Sequence, residues 1–284
     1  MKKPPLIILT GPTAVGKTSL SIKLAKAVDG EIVSADSMQV YKYMDIGTAK
    51  VKPNEMKGVP HYLVDILEPD EKFNVVVFQS KAKEALKKIY DKGHVPIVVG
   101  GTGFYIQALL YDIDFTENDD DQEYRHYLEE MAKQEGNEAL HQMLREVDGP
   151  SAEKIHPNNV KKVIRALEFY EKTGMRISDH NEDQMQKSSP YNFAYFVLND
   201  DREILYERIN ERIDQMLEHG LLEEVKSLMD NGYTKEMISM QGLGYKEIID
   251  YYNGNLTLEE AIYILKRDTR HFAKRQLTWF KRES

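Results

Sequence analysis

One run of eight residues limits this chain more than any other: Gly11-Pro12-Thr13-Ala14-Val15-Gly16-Lys17-Thr18. It follows the apolar burst Leu6-Ile7-Ile8-Leu9, the mark of a buried parallel strand. It leads into Lys17 to Val28, where Leu20, Leu24 and Val28 recur at helical spacing. The pattern G-x-x-x-x-G-K-[ST] between a strand and a helix builds an anion cradle. Its glycines let backbone N–H groups converge on phosphate oxygens, and the helix N-terminus adds the positive end of its dipole. Lys17 supplies a point charge, and the Thr18 hydroxyl is placed to ligate Mg²⁺. The loop says phosphate without saying what carries it.

The rest of the chain fits an α/β fold around that loop. Glu31 to Ser34, Tyr62-Leu63-Val64, Val95 to Val99 and Phe193 to Leu198 read as further strands. Helices are expected over Val76 to Asp91 and Phe104 to Leu110, and from Asp201 onward the chain reads as almost wholly helical. This alternation predicts a P-loop NTPase-like parallel sheet with flanking helices. Residues 115–190 break the pattern and are expected to form a helical insertion domain, leaving 1–114 and 191–284 as the catalytic core. Within the insertion, Val160, Val163, Ile164 and Leu167 form an apolar helix stripe, with Lys161 and Arg165 on the other side.

Charge gives a first hint that misleads. Over 284 residues, 38 Lys and Arg face 47 Asp and Glu, a net of -9, whereas nucleic-acid binders usually carry a basic excess. Position matters more than the sum. Residues 115–150 carry eleven acids against Arg125, Lys133 and Arg145, while 266–284 carry seven bases against Asp268 and Glu283. In that last segment Leu265, Phe272 and Trp279 recur every seven residues as a predicted buried stripe. Arg267, Lys274 and Lys281 recur on another side with Arg270 beside them. Such a row suits phosphate tracking. The absence of cysteine excludes disulfides, thiolate zinc sites and cysteine nucleophiles. No apolar run approaches the roughly 20 residues that span a bilayer. The expectation is a cytoplasmic protein, off the membrane and monomeric.

A P-loop ordinarily suggests an NTPase or small-molecule kinase, with Asp36 or Asp65 as the strand-end carboxylate holding Mg²⁺. The remaining motifs do not fit a kinase. Asp36-Ser37-Met38-Gln39-Val40-Tyr41-Lys42, Asp45-Ile46-Gly47-Thr48-Ala49-Lys50, Gly100-Gly101-Thr102-Gly103-Phe104-Tyr105 and Gln241-Gly242-Leu243-Gly244-Tyr245-Lys246 occur in that order. With the run from Thr269 to Phe280, they make the chain resemble the tRNA dimethylallyltransferase family in its bacterial form, from Leu6 to about Lys281.

The resemblance implies transfer of a dimethylallyl group from dimethylallyl diphosphate to N6 of the adenosine just 3′ of the anticodon, in the anticodon stem-loop of tRNA. Residues Gly11 to Thr18 would then hold the donor's diphosphate, with Lys17 and a Mg²⁺ at Thr18 neutralising charge as it leaves. By the same analogy Asp36 hydrogen-bonds N6 and accepts its proton; read from sequence alone, Asp36 fits a Mg²⁺ ligand or a helix cap equally. Ser37, Met38, Gln39 and Tyr41 would line the base pocket, although Met38 and Tyr41 also suit core packing. Thr102 would contact the neighbouring nucleotide. Arg202, Arg208 and Arg212 offer an arginine for the diphosphate; Arg208 is the expected one, against a plain reading as a solvated helix face. Expected tRNA contacts further include Arg125, Lys161, Lys162, Arg165, Gln241, Gly242, Leu243, Gly244, Tyr245, Lys246, Lys274, Arg275 and Gln276. The rival activities are prenylation of free AMP, ADP or ATP, and phosphoryl transfer by a P-loop kinase.

Overall fold

The computed structural model describes residues 2–115 and 122–281. Glu117, Asp119, Asp120 and Asp121 of the acidic stretch, and Arg282 and Glu283 at the end of the chain, lie outside the described residues. The described chain packs as two compact units, Met1–Leu110 with Pro190–Ser284, and Tyr111–Ser189.

The first unit is built on five parallel strands: β1 (Pro5–Thr10), β2 (Gly30–Ser34), β3 (His61–Tyr62), β4 (Val95–Gly100) and β5 (Asn192–Val197). Their order across the sheet is β3-β2-β4-β1-β5. β1 is central, pairing Ile7 with Ile97 on one side and with Ala194 on the other. Every loop that leaves a strand's C-terminal end therefore opens on the same edge, the P-loop NTPase-like arrangement in which ligands gather. Leu6, Ile8, Leu9, Ile32, Val33, Ile97 and Val98 are buried, which is why these strands read as unbroken apolar bursts. The third strand is shorter than its sequence predicts. Leu63 and Asp65 take left-handed backbone (φ 61° and 57°), so pairing stops at Tyr62.

Helices α1 (Lys17–Val28), α3 (Val75–Asp91) and α4 (Gly103–Leu110) flank the sheet, and a short α2 spans Pro53–Met56. Asn74 caps α3 by accepting from Val76 N–H and Val77 N–H at 3.0 Å each, a device typically worth about 1 kcal/mol. The C-terminal part adds α10 (Arg202–Glu218), α11 (Leu221–Asp230), α12 (Tyr245–Tyr252) and α13 (Leu258–Phe280), with a tight turn at Ser239–Gln241.

The second unit holds α5 (Gln122–Gln134), α6 (Asn137–Val147), α7 (Gly149–Lys154), α8 (Val160–Thr173) and α9 (Ile177–Met185). Leu128, Leu140, Leu144, Val163, Ile164 and Leu167 close its own small core. Buried Asp148 joins α7 to α9, accepting from Ser151 N–H, Ser151 Oγ and Ser178 N–H at 2.7–3.0 Å. Burial alone would raise its pKa, but these hydrogen bonds outweigh it and hold the carboxyl below its ordinary value. Glu168 engages the Arg125 guanidinium at 2.8 Å through both Nε and Nη2, which braces α5 to α8. Lys161, Lys162 and Arg165 are exposed on α8. No described helix is long and apolar enough to cross a membrane.

Candidate active site

At the C-terminal edge of the sheet a cleft of about 970 Å³ is lined by the phosphate loop, Asp36 to Gln39, Asp45 to Lys50, Gly101-Thr102, the Gln241–Lys246 turn and faces of α10 and α13. Gly16 caps α1 in the left-handed region at φ 92°, which a glycine tolerates and other residues resist. Ala14, also left-handed at φ 63°, forms the strained crest of the loop. Lys17 Nζ folds back to donate to Gly11 O at 2.9 Å and Pro12 O at 2.7 Å. Burial lowers its pKa to about 8; Asp36 opposes that shift and the positive Arg212 adds to it. Arg212 is likewise lowered by burial and supported by Asp36. Both cations thus feel the charge of Asp36 within one cleft.

Asp36 follows β2 directly. Its Oδ1 accepts from Met38 N–H at 2.8 Å and Gln39 N–H at 3.2 Å, which fixes the carboxylate as the chain turns away from the strand. Gln39 then ties the next loop, its Nε2 donating to Thr48 O and Ala49 O at 3.3 Å each. That loop hangs from Glu224 on α11, which accepts from Asp45, Ile46 and Gly47 N–H at 2.7–3.0 Å. Buried Lys50 closes it from inside, donating at 2.6 Å to Tyr41 O and to the Asp45 and Asp65 carboxylates. The apolar side of the cleft is Ile209, Ile213, Met216, Leu265 and Phe272.

The structure brings together most of the residues singled out in the sequence. Residues Thr13 to Thr18, Asp36, Ser37, Met38, Gln39, Thr102, Arg208, Gln241 to Lys246, Arg275 and Gln276 all line the cleft. Three are more deeply buried than their expected parts imply. Tyr41 is fully buried, packed edge-on against Phe73 at 6.4 Å, and does not line the cleft. Tyr245 is also fully buried, its hydroxyl donating to Glu224 at 2.7 Å. It serves as the joint between two cleft walls, and Gly47 must lack a side chain because a Cβ there would lie 2.6 Å from the Tyr245 ring. Gln276 is 6% exposed, with its amide bonded to Thr13 N–H and Gly101 O, so it cannot offer that amide at an RNA surface. Arg208 and Arg212, one turn apart, both line the cleft; Arg208 also pairs with Asp200 at 2.7 Å, and Arg212 feels the charge of Asp36.

The α13 stripe is also redistributed. Ala261, Leu265, Ala273, Gln276 and Phe280 are its buried positions, whereas Phe272 and Trp279 are only half-buried. Arg267 and Arg270 are engaged by Asp268 at 2.8 Å and Asn210 at 2.7 Å, whereas Lys274 and Arg275 are exposed. Two residues that shape the site are not among the sequence candidates: Glu224, which anchors the loop, and Phe272 as a cleft wall. Arg212 is among them, and the four-residue spacing puts it on one helix face with Arg208.

Comparison with known proteins agrees with this geometry. Residues 39–283 match the model of the IPP transferase family. A tRNA dimethylallyltransferase of Lachnoclostridium phytofermentans is 65% identical over 279 residues, covering 98% of this chain and 89% of that protein. The crystal structure of the tRNA isopentenylpyrophosphate transferase of Bacillus halodurans has a TM-score of 0.73 at 47% identity, covering 99% of this chain and 87% of that one. A eukaryotic dimethylallyltransferase captured acting on tRNA has a TM-score of 0.85 at 33% identity, over 97% of this chain and 69% of that one. This chain belongs to the IPP transferase family.

Proposed function

We propose that the chain transfers a dimethylallyl group from dimethylallyl diphosphate to N6 of the adenosine adjoining the anticodon of tRNA. The observation that carries this reading is the meeting of a phosphate loop, the strand-end carboxylate Asp36 and the cations Lys17 and Arg212 in one cleft. In the reaction the adenine N6 bonds to C1 of the donor, the C1–O bond breaks, and diphosphate departs with the bonding electrons. The loop's N–H groups, Lys17 and Arg212 meet the charge that develops on the departing oxygens. Asp36 takes the proton that N6 must lose, and its anchoring by Met38 and Gln39 N–H keeps it aimed while the base enters. Ile209, Ile213, Met216, Leu265 and Phe272 supply a wall that keeps water from the allylic carbon.

The Thr18 hydroxyl is a hard oxygen donor at the phosphate loop, suited to a Mg²⁺ whose other ligands would be diphosphate and water oxygens. When bound, the ion would stabilise the leaving diphosphate. Ser37, Met38, Gln39, Thr102, Gly242 and Leu243 line the cleft and would receive a base swung out of its stack, a displacement that costs a few kcal/mol. Exposed Lys274 and Arg275 of the first unit, and Lys161, Lys162 and Arg165 of the helical unit, are the cations proposed to meet the tRNA backbone. One chain supplies the whole cleft, so a monomer suffices.

Labelled dimethylallyl diphosphate, offered separately with tRNA, AMP and ATP, tests the reading. Label entering tRNA alone is the expected result. Label entering AMP or ATP but not tRNA would replace it with free-nucleotide prenylation, and phosphoryl transfer from ATP would replace it with a kinase.

A further inference from the structure

Gln276 lies on α13 next to exposed Lys274 and Arg275, yet it points inward and spans two loops of the site. Its Oε1 accepts from Thr13 N–H at 2.9 Å and its Nε2 donates to Gly101 O at 2.9 Å. The fit at the second loop is tight, since a Cβ on Gly101 would overlap the amide. Thr13 directly precedes Ala14, the left-handed crest of the phosphate loop. An alanine in that conformation persists only where its surroundings hold it. A neutral amide both accepts from an N–H and donates to a carbonyl here; an ionised carboxylate cannot donate, and a thioether does neither well.

We infer that Gln276 is a positioning residue for the phosphate loop, setting the anion cradle from the helix whose other face carries cations for RNA. This deepens the proposed function and rests on the phosphate loop being the donor's diphosphate site. It has a specific consequence: a side chain within the basic C-terminal helix controls affinity for the donor and not affinity for tRNA.

The test compares wild type with Gln276→Met and Gln276→Glu, each read well below its own melting midpoint. Binding of inorganic diphosphate with Mg²⁺, KM for the donor, kcat, and tRNA affinity without donor are measured. Gln276→Met should weaken diphosphate and raise the donor KM by about tenfold, with tRNA affinity and kcat changed less than about twofold. Gln276→Glu should weaken diphosphate further, because it adds a negative charge beside the cradle. Gly101→Ala, which crowds the amide from the other loop, should reproduce the donor KM effect with Gln276 intact. Unchanged diphosphate affinity and donor KM in these variants, above all with weakened tRNA binding, would overturn the inference and return Gln276 to the RNA surface. Lys17→Met separates the two levels: if removing Lys17 leaves diphosphate binding untouched, the loop reading fails, whatever Gln276 does.

Discussion

The two ends of the central sheet handle charge in opposite ways. At the strands' N-terminal end, Glu31 is 2% exposed and fully partnered, 2.6 Å from Tyr62 Oη, 2.7 Å from His94 Nδ1 and 3.1 Å from Lys92 Nζ. Burial pushes its pKa upward, but the hydrogen bonds from Tyr62, His94 and Lys92 prevail and hold it below the ordinary value. At the C-terminal end, Lys17, Arg212 and Asp36 line one cleft, and burial lowers the pKa of both cations while Asp36 opposes that shift. One end is closed by its own partners. The other gathers Lys17 and Arg212 in an open cleft, which the proposed diphosphate would complete. That contrast, more than the shape of the cleft, marks where the chemistry belongs.

Substitutions at the two ends should therefore fail differently. The largest effect is expected from Asp36→Asn, which keeps an oxygen for Met38 and Gln39 N–H but cannot accept the N6 proton. Turnover should drop roughly 10²- to 10⁴-fold with tRNA binding retained, measured by single-turnover transfer and filter binding. Near-normal turnover would leave Asp36 a merely structural cap. Next, Arg212→Ala should raise the donor KM roughly 10- to 100-fold, the weight of a charge-assisted hydrogen bond. Arg208→Ala, already tethered to Asp200, should do less. A larger loss at Arg208 would reverse the order of the two arginines. The smallest catalytic effect is expected at the closed end. Glu31→Gln should cost about 1–3 kcal/mol of stability in denaturant titration with kcat of the folded enzyme unchanged. A fall in kcat there would show that the two ends are coupled, and the comparison would fail.

Local signals carried much of the fold. Helix α1 begins and ends at Lys17 and Val28 as its apolar spacing requires, and β1, β2, β4 and β5 lie where apolar bursts stand in the sequence. The third strand was overextended because left-handed backbone at Leu63 and Asp65 leaves no trace in an apolar pattern. In the site, residues tied to the P-loop and to strand ends were legible, since the parallel sheet sends them all to one edge. Long-range roles were not. Nothing near Gln276 in sequence shows that Thr13 and Gly101 lie against it, and nothing near Glu224 announces three N–H groups from Asp45, Ile46 and Gly47. Choosing between Arg208 and Arg212 likewise depends on how α10 passes the sheet edge, which helical spacing alone leaves open.

Lys17 is the most direct probe of the proposal that the C-terminal edge is a cationic site for the donor's diphosphate. With its pKa lowered to about 8 before ligand arrives, Lys17 loses its charge as pH rises through that value. Binding of dimethylallyl diphosphate without tRNA should be measured from about pH 7 to about pH 9.5 in wild type and Lys17→Met. Wild-type affinity should hold on the acid side and fall above about pH 8, approaching tenfold per pH unit, while Lys17→Met should bind weakly and without that fall. A wild-type affinity that stays level across the range, or falls equally in Lys17→Met, would contradict the claim.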